Sequence, residues 1–450
     1  MKRYSFLLFL LGLLVLASSF AQQKMPANGI SPTWCRQSNI YEVNLRQYSA
    51  SGSFTAFAKH LPRLRKMGVD ILWFMPITPI GMEGRKMISS DLGSYYAVRD
   101  YKAVNSEFGT LAEWKALVAN AHRMGFKVIT DWVPNHTALD NRWVKDHPDF
   151  YVKDASGKIL SPYDWTDTYK LDYTNPALRD SMIDVMKFWV IKTGIDGFRC
   201  DVSEDVGPLF WTQCITALKK IKNVFMLAEG EKPWLHKAGF NATYTWSVMR
   251  AMAELYSGKK DLAQFIALLD SNRSVFPGNA CRMFFTTNHD ENSWNGTEFE
   301  KYGDAYKTFA VFGQTMYQSI PLIYNGQEVP NKKRLKFFVK DTIEWDQYAM
   351  SPFYHTLLEL RKRNPALAAD ASYKRLTSSN DEAIFCYLRE SMGHKVAVLL
   401  NLSSIPQKFT LKDKVLIGMP ENVFTGKKEK LVLEHEFKLD AWGYAVYDYQ

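Results

Sequence analysis

The sequence is poor in cysteine and lacks the spacings in which cysteine usually has a structural role. Its 450 residues contain five cysteines, an odd number, widely spaced and without a C-x-x-C pair. Such usage does not form a disulfide framework, so the cysteines are predicted to be buried free thiols. A disulfide between Cys200 and Cys214 is the alternative.

Long hydrophobic runs and dense runs of charge are also scarce. Beyond the N-terminal segment no stretch is long and apolar enough to cross a bilayer, which argues against stable membrane insertion. The formal net charge is +9, yet the basic residues are scattered, and the densest run, at residues 331–336, follows a predicted strand. Without a basic stripe or a recognisable binding module, a nucleic-acid partner is not expected.

The N-terminus has the pattern of a secretory signal peptide. Two basic residues precede an apolar run at residues 6–17, which is too short to span a bilayer. Ser19 and Ala21 place small residues at the −3 and −1 positions of a cleavage site. We therefore predict a signal peptide at residues 1–21, cleaved after Ala21, and a secreted or periplasmic protein. An uncleaved membrane anchor is the alternative.

Between residues 33 and 367, short apolar runs typical of strands alternate with amphipathic helical stretches. Helix boundaries are indicated by a capping box at Thr110 and Glu113 and by the Asn175-Pro176 pair. Continuous apolar strands alternating with helices predict a parallel (β/α)8 barrel, also called a TIM barrel. The eight predicted strands are residues 40–45, 69–74, 127–133, 196–202, 224–229, 242–246, 282–288 and 321–325.

Two segments depart from this alternation. Asp131 and Asp201, at the ends of strands three and four, lie 70 residues apart, whereas one βα repeat takes roughly 30. We therefore predict an inserted subdomain at residues 137–175, after strand three and over the mouth of the barrel. Residues 373–450 alternate apolar and polar positions with period two, which predicts a C-terminal antiparallel β-sandwich domain.

Polar side chains recur at the carboxyl ends of the predicted strands, where a barrel of this type has its active site. They are Asp131, Asn135, His136, Arg199, Asp201, Glu229, His289 and Asp290. Several carboxyl groups on one rim are typical of retaining glycoside hydrolysis, which uses one carboxylate as nucleophile and one carboxylic acid as proton donor. Arg199, two residues from Asp201, would keep that aspartate ionised.

The segments that carry these residues resemble those of a known family. In order, "DWVPNH", "GFRCDVSED", "FMLAEGEKP" and "FTTNHDEN" resemble the four signature regions of the α-amylase family, glycoside hydrolase family 13. "GSYYAVRDYKAVNSEFGT" and "PLIYNGQE" resemble the family's segments after strand two and at strand eight. The resemblance implies Asp201 as nucleophile, Glu229 as general acid/base and Asp290 as transition-state stabiliser. It also implies a sugar site lined by Tyr96, His136, Arg199 and His289.

The resemblance leaves some positions open. Where many α-amylases have a Lys-His pair after the nucleophile, this chain has Ser203-Glu204-Asp205. In the family's pattern a tyrosine precedes an Asp-Tyr pair by four residues, so Tyr96, four before Asp100, is preferred to Tyr95 as the sugar platform. Glu229 is preferred to Glu231 as the acid because it directly follows the apolar strand.

Calcium is a separate question. Asn135 matches a family calcium ligand, and Asp172 could supply another oxygen, so a structural calcium ion and simple capping by these residues are equal alternatives. The chemistry itself requires no cofactor.

The function expected from the sequence is export followed by hydrolysis of α-1,4-glucosidic bonds in starch, glycogen or malto-oligosaccharides by double displacement. The first alternative is an α-glucosidase, a cyclomaltodextrinase-like enzyme or a transglucosidase with the same chemistry. A remote alternative is a non-catalytic carbohydrate-binding protein.

Overall fold

The computed structural model describes residues 32–85 and 90–449, and its central feature is a barrel of parallel strands. The predicted signal peptide at residues 1–21 lies outside the described residues. Eight strands pair in parallel in the order β10-β1-β2-β3-β6-β7-β8-β9. Ile320 N–H donates to Arg282 carbonyl oxygen, and Leu322 N–H to Phe284 carbonyl oxygen, each at 2.9 Å. These bonds join the β9 and β10 edges and close the barrel.

Ten strands precede residue 325 in the described chain, eight in the barrel and two (β4 and β5) in an antiparallel ribbon. They are β1 (Ile40–Val43), β2 (Ile71–Phe74), β3 (Lys127–Trp132), β4 (His136–Ala138), β5 (Thr168–Lys170), β6 (Gly197–Cys200), β7 (Phe225–Ala228), β8 (Ala242–Tyr244), β9 (Cys281–Met283) and β10 (Leu322–Tyr324). All eight predicted barrel strands are present. Each is shorter than predicted: β2 begins two residues later, and the other seven end earlier, where the chain leaves the sheet at the barrel mouth.

Helices cover the outside of the barrel or follow its strands. The α-helices of the described residues are α1 (Leu45–Tyr48), α2 (Phe54–Ala58), α3 (Leu61–Met67), α4 (Leu111–Arg123), α5 (Arg142–Asp146), α6 (Pro176–Thr193), α7 (Ser203–Val206), α8 (Pro208–Lys219), α9 (Trp234–Ala238), α10 (Trp246–Tyr256), α11 (Leu262–Val275), α12 (Glu298–Tyr302), α13 (Tyr306–Thr315) and α14 (Ser351–Arg363). Throughout the described ranges, none of the helices has the length and apolar character that a bilayer span requires.

The predicted helix boundaries have the expected capping contacts. The Thr110 hydroxyl accepts from the Glu113 N–H, and the Glu113 carboxylate accepts from the Thr110 N–H, so the capping box that opens α4 is confirmed. The Asn175 side chain caps α6, whose first residue is Pro176. The helix ends at Gly194, which has the positive φ of 76° that glycine adopts without strain.

The excursion after β3 contains the ribbon β4–β5, with His136 paired to Lys170. The chain after α14 forms an antiparallel sheet of six strands packed on a pair of strands, β14–β17, across an apolar core. These strands are β11 (Ser372–Leu376), β12 (Ile384–Ser391), β13 (His394–Asn401), β14 (Gln407–Thr410), β15 (Glu421–Asn422), β16 (Lys427–Lys428), β17 (Glu436–Leu439) and β18 (Tyr444–Tyr449). The predicted barrel, insertion and C-terminal sandwich are confirmed.

All five cysteines are buried and free, as predicted. The Cys214 thiol contacts the Met186 sulfur at 3.3 Å, and the alternative Cys200–Cys214 disulfide is not formed.

Candidate active site

The ends of β6 and β7 bring Asp201 and Glu229 together. Asp201 N–H donates to Trp132 carbonyl oxygen at 2.8 Å and Glu229 N–H to Cys200 carbonyl oxygen at 2.9 Å, so both residues continue the parallel ladder by one position. Both carboxyl groups pair with the Arg199 guanidinium, Asp201 Oδ1 at 2.9 Å and Glu229 Oε1 at 3.0 Å. The two residues predicted to carry the chemistry therefore lie side by side at the barrel mouth.

The backbone turns sharply directly after Asp201. Val202 has φ 41° and ψ 46°, a left-handed conformation that is unusual for a β-branched residue. This turn points the Val202 N–H at the Glu229 carboxylate, with 2.9 Å between N and Oε2. Strain of this kind persists where the surrounding structure enforces it, commonly at functional sites.

Arg199 connects the carboxylates of the site and is itself completely buried. Its Nη1 donates to Asp131 Oδ1 and to Asp201 Oδ1, each at 2.9 Å. Its Nη2 makes an ion contact of 3.0 Å with Glu229 Oε1, and its Nε donates to the Tyr244 hydroxyl at 3.1 Å. A buried guanidinium is tolerated when it is paired in this way, and here it offsets part of the charge of three carboxylates.

Asp201 and Glu229 shift each other's pKa, together with burial and neighbouring donors. Burial and the charge of Glu229 raise the pKa of Asp201 well above its ordinary value. Burial also acts to raise the pKa of Glu229, but Arg199 and the Val202 N–H outweigh it and the pKa is lowered.

His289 and Asp290 form the opposite wall, beyond β9. His289 Nδ1 lies 2.5 Å from Glu42 Oε1, and Nε2 lies 2.7 Å from the Tyr96 hydroxyl and 3.3 Å from Asp290 Oδ2. Burial opposes protonation of His289, but the charges of Asp290 and Glu42 prevail and raise its pKa to about 9. His289 is thus an imidazolium at neutral pH. The Asp290 carboxylate is about one-third exposed and opens toward the cleft.

Tyr96 and His136 complete the predicted set. Tyr96 is half-buried and stacks on His289, with ring centroids 5.6 Å apart. Tyr95 is buried instead, and its hydroxyl donates to Asn44 Oδ1 at 3.0 Å, away from the cleft. Burial lowers the pKa of His136 to about 4, so this ring is neutral. It packs edge-to-face against the exposed Trp165, with 5.2 Å between the ring centroids.

These side chains surround a cleft of about 400 Å³. Its lining consists of Ser94, Tyr96, His136, Trp165, Asp167, Thr168, Asp201, Val202, Glu229, Asp290, Trp294, Phe337 and Phe338. The cleft continues past Glu229 into a more open depression between the insertion and α7, lined by Tyr163, Asp164, Trp165, Val202, Glu204, Asp205, Glu229, Gly230 and Trp246. Of the predicted site residues, Tyr96, His136, Asp201, Glu229 and Asp290 reach the cleft surface, while Arg199 and His289 support it from below.

Two charged residues of the site were given no role from the sequence: Asp131 was only named among the polar strand ends, and Glu42 was missed. Asp131 accepts from Arg199 and, through Oδ2, from Trp73 Nε1 at 3.2 Å, and burial raises its pKa to about 6. Glu42 lies in the middle of the apolar strand β1. An acidic residue inside an otherwise apolar strand is the sequence signal that could have identified it.

Three acidic residues near the predicted ones, among them the alternative acid Glu231, have other contacts. Glu231 accepts from Arg282 Nη2 at 2.9 Å and from the Ser247 N–H at 2.9 Å, near the start of α10. Glu204 Oε1 accepts from the Glu231 N–H at 2.6 Å and so holds the loop after β7. The Asp205 carboxylate accepts from the Tyr163 hydroxyl of the insertion.

The two side chains considered as calcium ligands make local contacts. Asp172 Oδ1 accepts from the N–H and the hydroxyl of Thr174, as in a turn that precedes a helix. The Asn135 amide nitrogen lies 3.3 Å from His136 Nδ1. Across residues 32–85 and 90–449, no three His, Cys, Asp or Glu side chains converge in a way that would hold a metal ion. No step below uses a metal ion.

Comparison with known proteins gives a consistent set of matches. A family model described as "Alpha amylase, catalytic domain" matches residues 16–170 and 159–366. Alpha-amylase MalA of Haloarcula japonica is 24% identical over 397 residues, covering 84% of this chain and 57% of that protein. A cyclomaltodextrinase of a Bacillus species is 24% identical, covering 78% of this chain and 65% of that protein. The chain thus spans about 57% to 65% of the length of these two relatives.

Solved structures with the same fold include two α-amylases. The structure of a noncanonic maltogenic α-amylase, AmyB, from Thermotoga neapolitana superposes with a TM-score of 0.84 at 27% identity, covering 92% of this chain and 99% of that one. An α-amylase from Lactobacillus plantarum superposes with a TM-score of 0.83 at 29% identity, covering 93% of this chain and 100% of that one.

Proposed function

Because this chain belongs to the α-amylase family and is a glycoside hydrolase, we propose that it cleaves α-1,4-glucosidic bonds of starch, glycogen or malto-oligosaccharides with retention of configuration. One observation carries this proposal: Asp201 and Glu229 pair with the same guanidinium, at 2.9 and 3.0 Å, at the floor of the cleft. Retaining enzymes place their two carboxyl groups close together, at about 5 Å, whereas inverting enzymes separate them further to admit a water.

In the first step, Asp201 attacks the anomeric carbon and Glu229 protonates the glycosidic oxygen. The proton must then be on Glu229. A glycosidic oxygen placed beside Glu229 is a hydrogen-bond acceptor, and only the protonated carboxyl can donate to it. Substrate binding therefore favours the proton on Glu229, and Arg199 stabilises the Asp201 carboxylate that results.

In the second step, water attacks the covalent glycosyl–Asp201 intermediate and Glu229 acts as general base. Both reacting groups are side chains of the chain, so the proposed double displacement requires no cofactor. Asp290 and the imidazolium of His289 border the same space, where Asp290 would offset the positive charge that develops on the sugar ring.

We expect the two halves of the substrate, the part transferred to Asp201 and the leaving part, to lie on opposite sides of Glu229. Glu229 lies where the enclosed cleft meets the open depression, while Asp201 lines only the enclosed part. The sugar that becomes bound to Asp201 would occupy the enclosed part, and the leaving sugars would occupy the depression beside Trp165 and Trp246. Exposed aromatic rings provide flat apolar surfaces on which sugar rings stack.

We also propose that the protein is exported and that its mature form begins at Gln22, as the basic and apolar pattern of the N-terminus indicates. The intact mass of the protein recovered from the producing cells or their medium tests this proposal. A mass that includes residues 1–21 would contradict it.

The activity is tested by a product time course on amylose and on maltoheptaose, with Asp201→Asn as a paired variant. We expect the wild type to release malto-oligosaccharides of the α-configuration and the variant to lose at least about 1,000-fold in kcat with an unchanged fold. Glucose alone from the first minutes would favour the α-glucosidase alternative, and transfer products would favour a transglucosidase. Wild-type rates in Asp201→Asn would refute the assignment of the nucleophile.

A further inference from the structure

Glu42 occupies a position that packing alone does not explain. It lies in β1 between Tyr41 and Val43, which both belong to the apolar core, and it is completely buried. Its Oε1 contacts His289 Nδ1 at 2.5 Å, whereas its Oε2 is buried and has no hydrogen-bond donor within the described part of the chain. A half-satisfied buried carboxylate is costly for folding, so its retention requires a reason outside stability.

The contacts of His289 indicate that reason. With Nδ1–H directed at Glu42, the second ring proton is on Nε2, which faces the Tyr96 hydroxyl and the Asp290 carboxylate at the cleft. Tyr96 in turn donates to Asp131 Oδ2 at 3.3 Å. A charged carboxylate behind one ring nitrogen thus determines what the other ring nitrogen presents to the substrate.

We propose that Glu42 is a positioning residue, which holds His289 in its doubly protonated form so that Nε2–H and a positive charge face the sugar beside Asp290. The kinetic test of this inference rests on the proposed hydrolysis of α-1,4-glucosidic bonds, whereas the NMR test does not. Glu42 touches no substrate; it acts through His289.

Several charged or titratable groups face His289, and together they determine how far its pKa should fall when the Glu42 charge is removed. They are Glu42 on β1, Tyr96 after β2, Asp131 on β3, Arg199 on β6, Glu229 after β7 and Asp290 beside it in the chain. Glu42 and Asp290 are the carboxylates in direct contact, and Asp290 remains when Glu42 is changed. Removing an opposite charge at hydrogen-bond distance lowers a histidine pKa by about 1–3 pH units, so part of the elevation should survive.

Glu42→Gln tests the proposal because it preserves shape and an acceptor for Nδ1–H but removes the charge. The NMR titration of His289, identified by comparison with His289→Asn, should move from near pH 9 to at least about one pH unit lower. The ratio of variant to wild-type kcat/KM on maltoheptaose should fall at least about threefold between pH 6 and pH 8.5, since kcat/KM follows ionisation of the free enzyme. Taking the ratio cancels the titration of Glu229 that both proteins share.

Glu328→Gln is the matched control. Glu328 is also a completely buried carboxylate, and it accepts from the Tyr41 hydroxyl at 2.5 Å and from Arg63 at 3.0 Å, without contacting His289. Its loss should lower stability but leave the activity ratio constant across pH. The same constant ratio in Glu42→Gln, together with an unmoved His289 titration, would overturn the proposal.

Two further measurements decide the role of Glu42 if Glu42→Gln does not fold or if the wild type does not cleave maltoheptaose. If Glu42→Gln does not fold, Glu42→Asp retains the charge and should keep the wild-type pH profile; a profile displaced to lower pH would refute the proposal. If the wild type does not cleave maltoheptaose, the proposed function fails, while the His289 titration still decides the role of Glu42. A wild-type His289 that titrates near its ordinary value of about 6.5 would refute that role.

Discussion

Arg199→Met removes the charge that holds the active-site carboxylates together while keeping much of the side-chain volume. In the wild type, one guanidinium hydrogen bonds to Asp131 and Asp201 and makes an ion contact with Glu229, with nitrogen–oxygen distances of 2.9, 2.9 and 3.0 Å. Asp131 and Asp201 are buried, and the Glu229 side chain is only 16% exposed, so solvent can screen these carboxyl groups only in part. The variant therefore leaves buried negative charge without its main counter-charge.

The expected cost follows from this geometry. Removing one partner of a buried ion pair costs about 3–5 kcal/mol, and since three carboxylates lose the same partner we expect the upper part of that range near neutral pH. A folded domain is typically stable by about 5–15 kcal/mol, so the variant should fold but be clearly weakened. The activity should be nearly abolished, because Asp201 and Glu229 lose the guanidinium with which both carboxyl groups pair at the floor of the cleft.

The cost should depend on pH, and its direction can be stated. The pKa of Asp131 is already raised, to about 6, and that of Asp201 is raised too, while Arg199 acts to lower both. Without Arg199 the folded state binds these protons still more tightly. A carboxyl whose folded pKa is raised favours folding when protonated, and this contribution is lost as pH rises above its unfolded value of about 3.9. The destabilisation of Arg199→Met should therefore be smaller at pH 5 than at pH 8.

Urea unfolding of wild type and variant at both pH values measures this difference. Arg361→Met is a suitable control because Arg361 is equally buried but donates to backbone carbonyl oxygens, among them those of Ser38 and Arg36. Its destabilisation should be the same at both pH values. If the destabilisation of Arg199→Met is also independent of pH, the reasoning about shared carboxylate charge is refuted.

Two further predictions concern the acid and the metal. Glu229→Gln should lower kcat on maltoheptaose by about 10²–10⁴-fold, whereas Glu231→Gln, which breaks the contact with Arg282, should lower the melting temperature and leave kcat within a few-fold. The reverse pattern in kcat would assign the proton donor to Glu231. Prolonged treatment with a calcium chelator should leave both the melting temperature and kcat unchanged, because Asp172 is engaged by Thr174; a melting temperature restored by added calcium would contradict this.

Local sequence rules were sufficient for the elements whose signals are short-range. The capping box at Thr110 and Glu113 and the Asn175-Pro176 start of α6 were predicted correctly, because capping involves residues only two or three positions apart. The eight barrel strands were also located, since strands buried on both faces must be continuously apolar. Their ends were less well predicted: β9 ends at Met283, and the following residues to His289 leave the sheet to reach the cleft.

The site was predicted where the residue types themselves require a special environment. Arg199 and Asp201 in an otherwise apolar strand imply a polar cavity, because isolated charges are not buried in a core. The sequence could not show that the pKa of Asp201 is raised while that of Glu229 is lowered, since this depends on which donors and charges surround each carboxyl.

The sequence by itself determined the barrel, its insertion, the C-terminal sandwich and the carboxyl-end position of the catalytic candidates, because periodicity and capping are local properties of the chain. The tertiary structure alone decided that Glu42, on the first strand, contacts His289, which lies 247 positions later, and that one guanidinium serves three carboxylates. Ionisation is governed by burial and by charges within a few ångströms. Closure of the barrel brings those charges together from strands far apart in the chain, so no local pattern records them.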